Sequence, residues 1–199
     1  MPEGPSIVIL KEEAQGFTGQ KIVSVAGNSK INQARLLNQT VISFKSWGKH
    51  FLICFDGLAL RIHFLLFGTC RINERKDAPV RLSLVFPNGE LDFYASSIKF
   101  PEGNIDTLYD WSADVMNADW DPKKAKSRLE VVPEKLICDA LLEQDIFAGV
   151  GNIIKNEVLY RVRVHPESKT GKIPKAKIQE IIREAQTYSF ECAKTHHPH

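Results

Sequence analysis

Neither a disulfide framework nor a set of paired metal ligands is written into this sequence. Its four cysteines, Cys54, Cys70, Cys138 and Cys192, are scattered, and no two form a CxxC pair. Such usage suits reduced thiols better than a cross-linked scaffold. No apolar run approaches the roughly 20 residues of a membrane-spanning helix, so no membrane partner is expected. The N-terminus lacks a basic stretch followed by an apolar segment and a cleavage site. Secretion is therefore not expected; the expected location is the cytoplasm or nucleoid of a bacterium, or the nucleus of a eukaryote. Internal repeats and low-complexity tracts are also missing.

What is present is ordinary in bulk and uneven in detail. The 199 residues, 43% apolar and 25% charged, suffice for one large domain or two small ones with real cores. Net charge is only +2, yet residues 147–199 hold nine Lys/Arg against five Asp/Glu, while residues 1–146 hold 17 against 19. A basic C-terminal part fits a polyanion partner, and it equally fits a solvated helix face.

Along the chain the apolar pattern changes once. PSIVILKEEAQ, residues 5–15, has approximate helical spacing, with Pro5 at an early helical position. From about 20 to 95 the runs TVISFKSW, HFLICF, LALRIHFLLF, VRLSLVF and ELDFYA are rich in β-branched and aromatic residues. Asp56-Gly57 and Asn88-Gly89 lie between such runs as hairpin turns. Residues 101–121 are polar and turn-rich. Beyond them DPKKAKSRLEVV, PEKLICDALLEQ, NIIKNEVLYRV and IPKAKIQEIIREAQTYSFECAK read as helices, the last with Ile178, Ile181, Ile182 and Ala185 on one face. Strands first and helices second predict an α+β chain of two domains, 1–115 and 116–199.

Four stretches carry chemistry. The chain opens MPEGPS. Removal of Met1 would leave Pro2 as a free secondary amine beside the Glu3 carboxylate, a nucleophile next to an acid/base group; the same letters also make an ordinary start to a helix. In DIFAGVGNIIKNEVL, residues 145–159, Gly149 and Gly151 precede a helical run and Asn152 takes the N-cap position. Such a turn can present amides to a phosphate, or bind nothing. Gly48-Lys49 in SWGKHFL places a cation near a sheet edge, as many solvated lysines do. In RIHFLLFG, His63 reads as a partly buried strand histidine. Leu65, Leu66 and Phe67 at the strand's end suit wedges pushed into a base stack, or a fully buried strand end.

Together, in this order and through nearly the whole chain, these stretches resemble the formamidopyrimidine-DNA glycosylase/endonuclease VIII family of base-excision repair. The resemblance implies a helix-flanked antiparallel β-sandwich, then a helix–two-turn–helix domain, with DNA in the cleft between them. It implies a bifunctional DNA glycosylase and abasic-site lyase in which Pro2 attacks C1′ of a damaged nucleotide and forms a Schiff base. Glu3 matches the family's acid. Lys49 matches the lysine at the lesion. His63 and Asn152 match phosphate ligands, with Gly149 and Gly151 in the same turn, and Glu157 matches a structural position. Leu65, Leu66 and Phe67 match the residues that fill the gap left by a flipped nucleotide. HFLLFG ends like the endonuclease VIII version of the stretch, which favours oxidised pyrimidines as substrates. The implied partner is double-stranded DNA with damaged bases or abasic sites, bound by a monomer.

The chain departs from the family pattern in three places. Ser6 stands where the N-terminal motif usually has Glu. The C-terminal zinc finger is absent from these residues, so no cofactor is expected within the chain and zinc only with such a finger. Cys192, His196, His197 and His199 match no standard metal site. Finally, a retained Met1 would make Pro2 an amide. Two other readings stay open on the sequence: a non-catalytic binder of damaged or abasic DNA, and a protein-interaction module with basic helices.

Overall fold

The computed structural model describes residues 2–195. Met1 lies outside the described residues, as do His196, His197 and His199 of the C-terminal Cys/His group. The chain forms two compact units. One comprises Pro2 and Ile9–Leu108; the other comprises Glu3–Val8 and the chain from Tyr109 onward. Helix α1 (Gly4–Glu13) is thus shared, its first half with the helical unit and its second half with the sheet unit.

The sheet unit holds six antiparallel strands: β1 (Ser24–Ala26), β2 (Ser43–Trp47), β3 (His50–Phe55), β4 (Leu58–Ile72), β5 (Leu82–Phe86) and β6 (Gly89–Lys99). They hydrogen-bond in the order β1-β5-β6-β4-β3-β2. Sequential strands pair through tight turns at Gly48-Lys49, Asp56-Gly57 and Pro87-Asn88; the last lies one residue earlier than the expected Asn88-Gly89, because Gly89 pairs with Phe86 and opens β6. Phe51 to Phe55 are buried without a break, so both faces of β3 are covered. Phe51, Ile53, Leu60, Ile62, Leu82, Leu84 and Phe93 form the centre of this core. The short β1 lies ahead of the β-rich runs of the sequence; at the sheet edge it pairs with β5 through three residues.

The helical unit contains α3 (Pro122–Glu130), α4 (Ile137–Ala140), α5 (Gln144–Phe147), α6 (Asn152–Val162) and α7 (Lys175–Thr195), preceded by the short α2 (Ile105–Leu108) that belongs with the sheet unit. Asp121 caps α3 through the amides of Lys123 and Lys124, with Pro122 at its first position. The face of α7 expected from its periodicity is the buried one: Ile178, Ile181, Ile182 and Ala185 pack with Trp120, Leu129, Phe147, Ile154 and Val158. Residues 133–144 do not form the single helix their composition suggests. The first four form a turn and a bridge instead, with the Pro133 and Lys135 carbonyls accepting the amides of Gly171 and Thr170, and α4 starts only where Ile137 N–H meets the Ser168 carbonyl.

One ionic cluster ties the entry of this unit together. The Asp110 carboxylate accepts from Ser112 Oγ at 2.6 Å, Lys124 Nζ at 2.8 Å and Arg128 Nη2 at 2.5 Å. Burial pushes this carboxyl up, but the hydrogen bonds from Lys124, Ser112 and Arg128 outweigh it and hold it well below the usual carboxylate range. A depressed folded-state value contributes stability that is present above the unfolded value of about 4 and is lost as pH falls through the folded one. Asp110→Asn is therefore expected to lower the urea midpoint at pH 7 and to flatten the loss of stability below pH ~4. Parallel acid limbs for parent and variant would show that the cluster is not coupled to folding.

Candidate functional site

Glu3 joins two helix starts. Its backbone carbonyl accepts the amides of Ser6 at 3.0 Å and Ile7 at 3.4 Å, opening α1. Its side chain, 8% exposed, turns to the beginning of α6. Oε1 accepts from Ile153 N at 2.8 Å, and Oε2 accepts from Ile154 N at 3.1 Å and Gly151 N at 3.2 Å. Three of the four amides that a helix start leaves unpaired are thereby satisfied, by a full negative charge at the positive dipole end. A residue 148 positions away thus performs the capping usually done by a local side chain.

The glycines serve this approach. A Cβ on Gly151 would stand 2.4 Å from the Glu3 carboxyl carbon, so no other residue leaves room for the carboxylate. Gly149, at φ +97, makes the turn and accepts the Gly4 amide at 2.9 Å. Gln144 staples the turn from inside: its Nε2 donates to the carbonyls of Leu142 and Val150, and its Oε1 accepts from Gly149 N at 3.1 Å. Nothing in the local pattern marked Gln144, because its partners are set by the turn rather than by helical spacing.

One expectation is corrected here. Gly151, in extended conformation, is the N-cap, and Asn152 is the first helical residue. The chain must stay extended at 151 to aim its amide at Glu3. The amides of Gly149 and Gly151, offered by the sequence to a phosphate, already donate to Gln144 and Glu3. The exposed Asn152, whose Oδ1 accepts from Lys155 Nζ at 3.0 Å, is what this turn presents outward.

In the sheet unit, Leu65, Leu66 and Phe67 are 50%, 64% and 82% exposed. They do not end a strand, as expected, but lie within β4. The ladder to β6 runs His63↔Ser97 and Phe64↔Ser96, then resumes at Thr69↔Tyr94. Residues 65–68 therefore stand opposite Ala95 alone, and Ala95 takes a left-handed φ of +43 to match. This wide bulge lifts three large apolar side chains out of the sheet. Lys49 sits in the two-residue turn between β2 and β3, with Trp47 and His50 in register on either side.

His63 lies directly across from His50, ring centroids 5.2 Å apart. Burial, then Arg61 and His63, pull the His50 imidazole down to about 3. Burial also lowers His63, although a hydrogen bond to the Lys49 backbone opposes that shift. His63 Nδ1 is buried without a partner. The pair is thus neutral near pH 7, and His63 braces the Lys49 turn. Among the described residues no group of three or more His, Cys, Asp or Glu could hold a metal, and without CxxC pairs the chain does not fit a zinc finger.

Residues 1–97 match the formamidopyrimidine-DNA glycosylase N-terminal domain, and residues 112–191 match the formamidopyrimidine-DNA glycosylase H2TH domain. The chain belongs to the formamidopyrimidine-DNA glycosylase/endonuclease VIII family. It is 28% identical to Endonuclease 8-like 3 of Mus musculus over 172 residues, covering 80% of this chain and 28% of that protein. It is 26% identical to formamidopyrimidine-DNA glycosylase of Bacillus cereus over 218 residues, covering 98% of this chain and 78% of that protein. The chain thus spans under a third of the mouse protein's length and more of the bacterial one's. The crystal structure of the Lactococcus lactis glycosylase bound non-covalently to DNA containing an abasic site superposes with a TM-score of 0.83 at 21% identity. That match covers 96% of this chain and 82% of the other, and it shows a shared fold.

Replacing Glu3 separates its contacts. Glu3→Ala leaves buried amides unpaired and is expected to cost about 1–3 kcal/mol in urea unfolding, with Glu3→Gln in between because one oxygen remains. Unchanged stability in Glu3→Ala would show that the α6 start does not need this cap.

Proposed function

We propose that the chain is a DNA glycosylase with abasic-site lyase activity, acting through the Pro2 amine once Met1 is removed. The observation that carries this reading is the buried Glu3 carboxylate. Anchored to three amides, it leaves Pro2 one peptide bond from a fixed point. A nucleophile held on a fixed point spends little entropy reaching its target. Membership of the family, whose relatives include formamidopyrimidine-DNA glycosylases, supports the reaction class.

In the proposed reaction the Pro2 nitrogen bonds to C1′ of the damaged nucleotide. The C1′–N bond to the base breaks, and the base leaves with a proton. The sugar ring opens, its oxygen taking a proton, and an iminium remains between Pro2 and C1′. The iminium acidifies the C2′ proton, whose removal expels the 3′ phosphate and cuts the strand. Water then releases the amine. A free α-amine titrates at roughly 7.7–8.0, so a useful share is unprotonated near neutral pH.

The remaining roles follow the same reading. Glu3 positions Pro2 and supplies a carboxylate beside the opening sugar. Lys49 contacts the lesion, and Asn152 grips a phosphate outside the α6 turn. Leu65, Leu66 and Phe67 fill the space left by the flipped nucleotide. His63 holds the Lys49 turn and reaches a phosphate by rotating its ring. Double-stranded DNA with damaged bases or abasic sites is the substrate, and the endonuclease VIII-like HFLLFG stretch favours oxidised pyrimidines.

Borohydride trapping on abasic-site duplex tests the nucleophile. A chain beginning at Pro2 is expected to form a reduced covalent adduct at Pro2, Pro2→Gly to form less, and a chain keeping Met1 to form none. Trapping of a Met1-bearing chain would move the Schiff base to a lysine. A gel shift without cleavage by the processed chain would make it a binder instead.

Cutting should also outlast excision. An abasic site needs no base recognition and no glycosidic cleavage, so Leu66→Ala is expected to slow release of an oxidised pyrimidine more than strand cutting at an abasic site. Equal slowing on the two duplexes, assayed side by side, would remove the apolar tip from base excision.

A further inference from the structure

The helical unit carries a concave feature on residues that the proposed chemistry does not use. A cavity of about 280 Å³ lies between the start of α3 and the middle of α7. Lys123 and Lys126 line it from α3, and Gln179, Arg183 and Gln186 line it from α7 at one-turn and two-turn spacing. Trp120 and Ile182 supply its apolar wall, both seated in the buried core beneath.

The polar inventory of this cavity is one-sided. Three cations face it and no carboxylate lines it. Lys126 makes one exposed i,i+4 pair with Glu130 at 3.5 Å, a contact of little strength. Lys123 and Arg183 have no side-chain partner among the described residues, and neither does the indole N–H of Trp120. The first-turn amides of α3 are not available, since Asp121 takes those of Lys123 and Lys124. Recognition here falls to side chains: ammonium, guanidinium and indole donors around a rigid aromatic edge. Cations crowded about one small space repel one another unless an anion joins them.

We propose that this cavity binds a phosphate monoester carried on a small organic group, of the size of a mononucleotide. A terminal phosphate brings nearly two negative charges and three strong acceptor oxygens, matching the three cations and the indole donor. The Trp120 and Ile182 wall takes the apolar face of the attached group. Two sources share this chemistry: a free nucleotide, and the 5′-phosphate end of a nicked strand. The proposal does not depend on Pro2 chemistry.

The test follows the three indole N–H signals, from Trp47, Trp111 and Trp120, by two-dimensional NMR at low salt, with Trp120→Phe assigning its own signal. Thymidine 5′-monophosphate is expected to shift the Trp120 signal saturably, more tightly than inorganic phosphate does, and to leave Trp47 and Trp111 in place. The double variant Lys123→Gln/Arg183→Gln is expected to bind about tenfold or more weakly. Gln179→Glu, which adds a carboxylate to the wall and keeps the cations, should show the same loss while melting like the parent. Oligonucleotides with and without a 5′-phosphate distinguish the two sources: a shift confined to the phosphorylated strand assigns the strand end, and its absence with both assigns the free nucleotide. Non-saturating shifts, parent-like binding by the variants, or an equal response to the 5′-hydroxyl strand would overturn the proposal.

Discussion

A single buried carboxylate organises this chain. Glu3 opens one helix with its backbone and closes the amide end of another with its side chain. The ionised group is out of water, so its charge must be met by several well-placed donors. The α6 start provides them only if the preceding turn brings Gly151 close. The turn does so only with glycine at 149 and 151 and with Gln144 holding it from within. Three residues, Gly149, Gly151 and Gln144, therefore answer to one charge.

The same carboxylate ties the first described residues into the fold. First residues usually fray, because few contacts hold them. Here the start of α6 holds the third residue, and Pro5 and Ile7 are buried just beyond it. The exposed elements named as DNA contacts differ in kind from this anchor. Phe67, Leu66 and Asn152 stand in solvent and are free to meet a ligand, while the groups that orient them are buried.

Most of the fold was legible because it rests on local rules. The strands announced themselves by β-branched and aromatic runs, Asp56-Gly57 and Asn88-Gly89 marked hairpins, and the isoleucine stripe of α7 gave its buried face. Less legible was everything decided by distant partners. Residues 133–136 have a helical composition, yet their hydrogen bonds go to the 166–171 segment. The glycines at 149 and 151 mark a turn that opens a helix, but local pattern does not show that its amides donate to Gln144 and to the Glu3 carboxylate. The apolar trio at 65–67 stands out in the sequence, but alternation alone cannot show that the ladder sets four residues against one.

That skipped register has a bearing on how the chain can vary. The bulge sets residues 65–67 outside the ladder, while Phe64 and Thr69 keep the strand paired on both sides. Side chains at the tip can therefore be exchanged without shifting any cross-strand partner or opening the core below. Substitution there changes the shape and chemistry offered to a ligand and leaves folding nearly untouched. The tip is a place where a lineage can drift in its surface chemistry while its scaffold stays fixed.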